Sequence, residues 1–120
     1  MQDYLMANGY KWDGTTEENK IAKSMVTKTD WKISSGGVEG AVVNDLTKNN
    51  RSGFSALPGG ARDFDNDFNG LMSNGFWWCS SNAVATCSGC RGLTFDWEDL
   101  TKPFSEKYTG YSVRLVRDPD

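Results

Sequence analysis

Histidine is absent from the 120 residues. That removes Ser–His and Cys–His catalysis in their usual forms and the commonest transition-metal ligand. Cysteine is scarce and odd in number, three residues at positions 79, 87 and 90, so no complete intrachain disulfide framework can be drawn. An excess of basic charge is also missing. Thirteen Lys and Arg face sixteen Asp and Glu, for a net charge of −3, which argues against the basic face that nucleic-acid binding needs. No apolar run approaches the roughly 18 residues that cross a bilayer, so membrane insertion by this segment is not expected. Met1-Gln2-Asp3-Tyr4 has neither the basic start nor the apolar core of a secretory signal.

The length fits one domain with one core. Hydrophobic residues make up only 38%, but five Trp, six Phe and four Tyr bring large apolar area per residue, and thirteen Gly point to a loop-rich fold. Tyr4, Leu5 and Tyr10 fit the end of a helix stopped at Asn8-Gly9. Trp12-Asp13-Gly14 reads as a turn. Thr16 makes a poor capping box with Asn19, while Glu17 and Glu18 suit a helix N-terminus. Ile21, Ala22, Met25 and Val26 recur at helical spacing and should face the core. Residues 34–60 read as mostly loop, with turn clusters at 34–37 and 48–53 and a short extended piece, Phe54–Leu57, stopped by Pro58-Gly59-Gly60.

The second half reads as strands: Phe76–Cys79, Arg91–Trp97 and Tyr111–Val116. In the second, Leu93, Phe95 and Trp97 would share one face and Gly92, Thr94 and Asp96 the other. In the third, Tyr111, Val113 and Leu115 would point one way. The expectation is an α+β fold, with N-terminal helices followed by a small twisted antiparallel sheet.

Three strings, Asn50-Arg51-Ser52-Gly53-Phe54-Ser55-Ala56-Leu57-Pro58-Gly59-Gly60, Asn74-Gly75-Phe76-Trp77-Trp78-Cys79-Ser80-Ser81 and Gly110-Tyr111-Ser112-Val113-Arg114-Leu115-Val116-Arg117-Asp118, carry a resemblance, together with Ala7–Thr16 and Asn19–Ser24. In order and spacing they resemble the Fibrobacter succinogenes major paralogous domain over nearly the whole chain. The resemblance implies a C-type-lectin-like fold related to the formylglycine-generating enzymes. It also implies the C-terminal part of a longer surface or exported bacterial protein, or of a phage particle. Some members resemble the variable proteins of diversity-generating retroelements, in which a fixed scaffold presents a hypermutated C-terminal patch. Between Cys79 and Tyr108 this chain departs from the family pattern, where Ser usually stands for Cys79 and an aromatic for Cys90. The framework on either side is retained.

Several residue groups are candidate sites. Cys87-Ser88-Gly89-Cys90 has CxxC spacing, but zinc wants about four ligands and only Cys79 remains. Incidental thiols are the leading reading, with a local disulfide next and a formylglycine-type catalyst last. Asp65-Asn66-Asp67-Phe68-Asn69-Gly70 matches the start of a calcium loop, with Asp63 adding a carboxylate. Phe76 stands where the bidentate Glu would be, so the set Asp63, Asp65, Asp67 and Asn69 is read first as a surface turn. Trp77 and Trp78 are read as core, with sugar stacking as the alternative. Arg91, Arg114 and Arg117 are read as structural ion-pair partners, Asp118 being one neighbour of Arg117, with an anion site as the alternative. No cofactor is expected beyond the calcium candidate.

The leading functional expectation is a non-catalytic ligand-binding domain of receptor or adhesin type. Its face would comprise Thr86, Ser88, Cys90, Gly92, Thr94, Asp96, Trp97, Asp99 and Phe104, the strand residues giving a flat patch and the loop residues its border. Its partner would be a protein or a cell-surface glycan. A structural surface module and a degenerate formylglycine-generating relative are the alternatives.

Overall fold

The structure is a computed structural model that describes residues 1–15, 18–33, 38–82 and 84–117. The turn cluster at 34–37, the helix-start residues Thr16 and Glu17, and Asp118 lie outside the described residues. It is a small α+β domain with few helices and one curled, five-stranded mixed sheet. Helix α1 spans Gln2–Ala7 and ends at Asn8, with Gly9 at φ 78° turning the chain away.

The apolar spacing around Ile21 yields only one helical turn, α2, Ala22–Met25. It goes no further because loops claim its carbonyls. Asn50 donates to Lys23 O at 3.1 Å, Ser52 to Ser24 O at 3.0 Å and Ala56 to Met25 O at 2.8 Å. These bonds bring the 50–56 loop onto the turn and bury every residue from Ile21 to Val26. Lys23 is buried with them. Its ammonium lies 3.4–3.5 Å from Val42 O, Asp45 O and Asn49 Oδ1, and burial lowers its pKa to about 8.

Strands β1 (Gly59–Arg62), β2 (Phe68–Leu71), β3 (Asn74–Asn82), β4 (Cys87–Thr94) and β5 (Phe104–Glu106) form the sheet in the order β2-β1-β3-β4-β5. Three neighbouring pairs are antiparallel, but β1 and β3 run parallel through the pair Gly60–Gly75. The sheet is therefore mixed, not purely antiparallel. The expected C-terminal strand is reduced to a bridge. Ser112 N donates to Phe76 O at 3.0 Å and Ser112 O accepts from Trp78 N at 3.1 Å. Beyond it, Val113, Leu115 and Val116 are exposed. The alternation is present in the sequence, but nothing in the described chain pairs with it after Ser112.

The core lies beneath one face of β3–β4. Opposed residues in an antiparallel pair project to the same face, so the register joins Trp77 to Arg91 and Gly75 to Leu93 on one side, and Phe76 to Gly92 and Trp78 to Cys90 on the other. Leu93 and the half-buried Trp77 pack with Leu5, Ile21, Met25, Val26, Trp31 and Val42. Trp31 also donates its indole N–H to Ala56 O at 3.2 Å. Met1 and Val113–Val116 line one groove together with Trp77 and Arg91 of this face.

Candidate functional site

The opposite face of β3–β4 is not the open patch the alternation suggests. Tyr111 stacks on Phe76 at 5.0 Å between ring centroids and leans on Trp78 at 4.8 Å. Its hydroxyl lies 2.9 Å from Ser105 Oγ. This aromatic layer and the neighbouring Thr101 cover the strand. Gly92 is buried: a Cβ there would fall 2.6 Å from Thr101 Oγ1 and 2.9 Å from the Phe76 ring. Cys90 is buried too, its thiol 3.3 Å from Pro103 O. Neither residue can reach a macromolecular ligand, so both leave the candidate face.

The rest of the candidate face falls into two groups. Strand β4 takes seven steps from Cys87 to Thr94, roughly 23 Å at about 3.3 Å per residue. At one end stand Thr86, exposed before the strand, half-buried Ser88, and Phe104, which is 68% exposed on edge strand β5. Phe104 therefore has a strand partner, Gly89, although no strand pattern marks it in the sequence. At the other end stand Thr94, Asp96, Trp97 and Asp99, where β4 has already turned. The strand stops at Thr94, so Trp97 escapes the alternation that would place it inside, and it is 46% exposed.

The acids around Trp97 are not equivalent. Glu98 accepts the Trp12 indole N–H at 2.5 Å and its carbonyl accepts from Ala22 N at 3.1 Å, so it holds the turn against the core. The Asp99 carboxyl is pushed up from its ordinary pKa, first by burial and then by the negative charge of Glu98. Asp96 and Trp97 are the polar and aromatic parts of this turn left for contact.

The calcium candidate resolves into a hairpin turn. Asp63 Oδ1 accepts from the backbone N–H of Asp65 at 3.2 Å and of Asp67 at 3.3 Å, and Oδ2 accepts from Asn69 Nδ2 at 2.8 Å. One carboxylate thus organises the β1–β2 connection. Among the described residues no three His, Cys, Asp or Glu side chains are grouped to hold a metal ion, and Asp63 and Asn69 of the candidate set are bonded to each other within the turn.

The three thiols are free. Cys87 and Cys90 lie three residues apart on one strand and so project to opposite faces, about 10 Å apart along it. A local disulfide does not fit that geometry. Burial pushes the Cys90 thiol up from its ordinary value, which suits a packed side chain and not a nucleophile.

Two of the three arginines, Arg91 and Arg114, depart from the ion-pair expectation. Among the described residues, Arg91 and Arg114 have no carboxylate partner. Arg91 donates to Cys90 O at 2.9 Å, and Arg114 sits over the Phe54 ring at 4.1 Å. Nothing in the sequence pattern flagged the stacking of Tyr111 or of Arg114, because both arise from contacts far apart along the chain.

Comparison with protein-family models, with curated proteins and with solved structures finds no match for this chain. No helix among the described residues is long and apolar enough to cross a membrane.

Proposed function

We propose that this chain is a non-catalytic ligand-binding domain of C-type-lectin-like kind. In this reading it belongs with the Fibrobacter succinogenes major paralogous domains of surface-exposed or exported bacterial proteins, or of phage particles. The recognition surface is drawn from the exposed residues of the 79–106 segment. One observation carries the reading: two large aromatics of that segment, Trp97 and Phe104, stand in solvent while the aromatics of the retained framework, Phe76, Trp77, Trp78 and Tyr111, are at least half covered. Trp in particular supplies binding energy when a partner buries it. Phe104 adds an edge strand whose outer backbone groups offer pairing to an extended partner. Two aromatics at opposite ends of an eight-residue strand fit a protein or an extended cell-surface glycan better than a compact small molecule.

Two measurements test this. The coding locus should hold a reverse transcriptase and a near-copy of the segment encoding 79–106 that differs at adenines. Arrays of cell-surface glycans and ectodomains, probed with the parent protein, should yield a ligand whose binding Trp97→Ala or Phe104→Ala weakens by tenfold or more. A ligand bound equally well by the folded double variant would place recognition elsewhere.

A further inference from the structure

A second concave surface lies along β3, lined by both Trp77 and Trp78 and by neither Phe104 nor Trp97. It is an open groove of about 730 Å³, bounded by the start of α1, by β3 and by the C-terminal arm. Its walls include Met25, Phe54, Trp77 and Leu100. Among the described residues that line it, two side chains are cationic, Arg91 and Arg114, and none is acidic. That is notable in a chain of net charge −3.

Both guanidiniums keep unused hydrogen-bonding capacity. Each carries five N–H donors in a planar fork. Arg91 spends one on Cys90 O. Arg114 stacks its plane on Phe54, an arrangement that orients the fork without consuming its donors. Neither meets a carboxylate among the described residues. The apolar side chains of the arm, Val113, Leu115 and Val116, stand exposed at the rim. The groove thus combines an aromatic and aliphatic bed with two planar cations, in a volume typical of small-molecule sites.

We propose that this groove binds a small amphipathic carboxylate, its apolar body lying on Phe54, Trp77 and Leu100 and its head group bridging Arg91 and Arg114. Bidentate guanidinium–carboxylate pairing supplies the orientation and the burial of an alkyl or aryl body supplies the remaining affinity. The groove shares Cys79, Ser80, Ser81, Arg91 and Leu100 with the 79–106 segment but not Trp97 or Phe104, so the Trp97 and Phe104 variants test the recognition face and the Arg91 and Arg114 variants test this site.

The test is a titration followed by tryptophan fluorescence, since Trp77 and Trp78 both line the groove. The probes are dodecanoate, 2-naphthoate and dodecyltrimethylammonium, each below its micellar concentration. At least one carboxylate should saturate at one per chain, and the cation should bind about tenfold or more weakly. Dodecanoate alone points to a lipid-like acid, 2-naphthoate alone to an aromatic one, and both to a general amphipathic-acid site. Arg91→Gln and Arg114→Gln should each weaken the carboxylate by about tenfold and leave the cation unchanged, the loss expected for a charge-assisted contact. Leu115→Glu, at a side chain 92% exposed, cannot disturb packing. It should weaken the carboxylate severalfold and strengthen the cation, whereas Lys107→Gln, outside the groove, should change neither. Equal binding of the cation and both acids, or Arg variants that bind like the parent, would overturn the proposal. So would a dimer in sedimentation that Leu115→Glu dissociates, because a second copy would then occupy the groove.

Discussion

The segment 21–26 and the arm 113–117 make an instructive pair. Both alternate or repeat apolar residues, yet Ile21, Ala22, Met25 and Val26 are almost wholly buried while Val113, Leu115 and Val116 stand in solvent. Local hydrophobicity does not separate them. The first has its carbonyls claimed by the 50–56 loop, so a second layer of chain closes over it. The second has a single backbone bridge, at Ser112, and among the described residues no further bridge follows it. Burial here follows from where distant backbone groups find partners, and the side-chain pattern permits it without compelling it.

The sharpest way to break that comparison is to truncate one leucine from each kind of site. Leu93→Ala should cost about 2–5 kcal/mol, because the side chain is lost from a packed core that relaxes only partly. Leu115→Ala should stay within about 0.5 kcal/mol in the same chemical melts. If the two cost the same, the arm is packed in solution.

A second substitution asks whether the Tyr111 layer really closes the outer face of β4. Gly92→Ala should cost about 1–3 kcal/mol by forcing Thr101 or Phe76 aside. A neutral result would restore that face as an open patch.

Buried Lys23 gives a pH signature that the arm cannot. Its pKa is about 8 in the fold against roughly 10.4 when unfolded. Between these values the unfolded chain holds the proton more strongly, so this residue makes stability rise as pH increases from about 8 to about 10.4. Below about pH 8 both states are protonated and the desolvation cost is fully present. Lys23→Met should remove that rise, and urea melts of parent and variant at pH 7 and pH 10 measure it as a change in their stability difference. A difference that stays constant with pH would show that the Lys23 ammonium is solvated.

A small effect per position is expected from Thr94, Asp96, Asp99 and Phe104 changed together to Ser, Asn, Asn and Ser. Each position should contribute within about 0.5 kcal/mol, so the combined variant should retain a cooperative melt close to the parent's. A collapse of the melt would place these side chains in the framework.

Much of the first half was legible from residue types. Asn8-Gly9 ends a helix because glycine takes the positive φ that stops it, and the spacing of Ile21, Ala22, Met25 and Val26 marks a buried face. The strand through Phe76–Cys79 was legible as well, though it runs longer, Asn74–Asn82. The hairpin of β1 and β2 was not. Gly59-Gly60-Ala61-Arg62 and Phe68-Asn69-Gly70-Leu71 have no clean alternation, and Gly60 and Gly70 sit at φ 68° and 71°, so the acidic turn between them suggested metal ligands in place of strands. For the candidate face, the sequence singled out Trp97 and Phe104, and both are exposed. It could not show that Tyr111, some thirty residues downstream, stacks on Phe76 and Trp78 on the face that carries Cys90 and Gly92, because that stacking sits beside the bridge at Ser112. The C-type-lectin-like identity is the part that the described architecture supports only at the level of an α+β domain with a mixed sheet.

The pairing of β1 with β3 comes down to the two glycines Gly60 and Gly75. Apart from it, the hairpin is moored by the reciprocal bonds of Arg62 with Gly110, at 2.9 and 2.7 Å, by the Met72 bonds to Pro58 and Lys32, and by the edge-on contact of the exposed Phe64 with Tyr108. A β1–β2 unit with so few ties should unzip as its own small cooperative unit, well below the free energy of global unfolding. In native-state hydrogen exchange, the ladder amides of 59–71 should then surrender their protons ahead of those of β4. The acidic turn they carry would swing on the Gly60–Gly75 seam while the Leu93 side of the sheet stays shut.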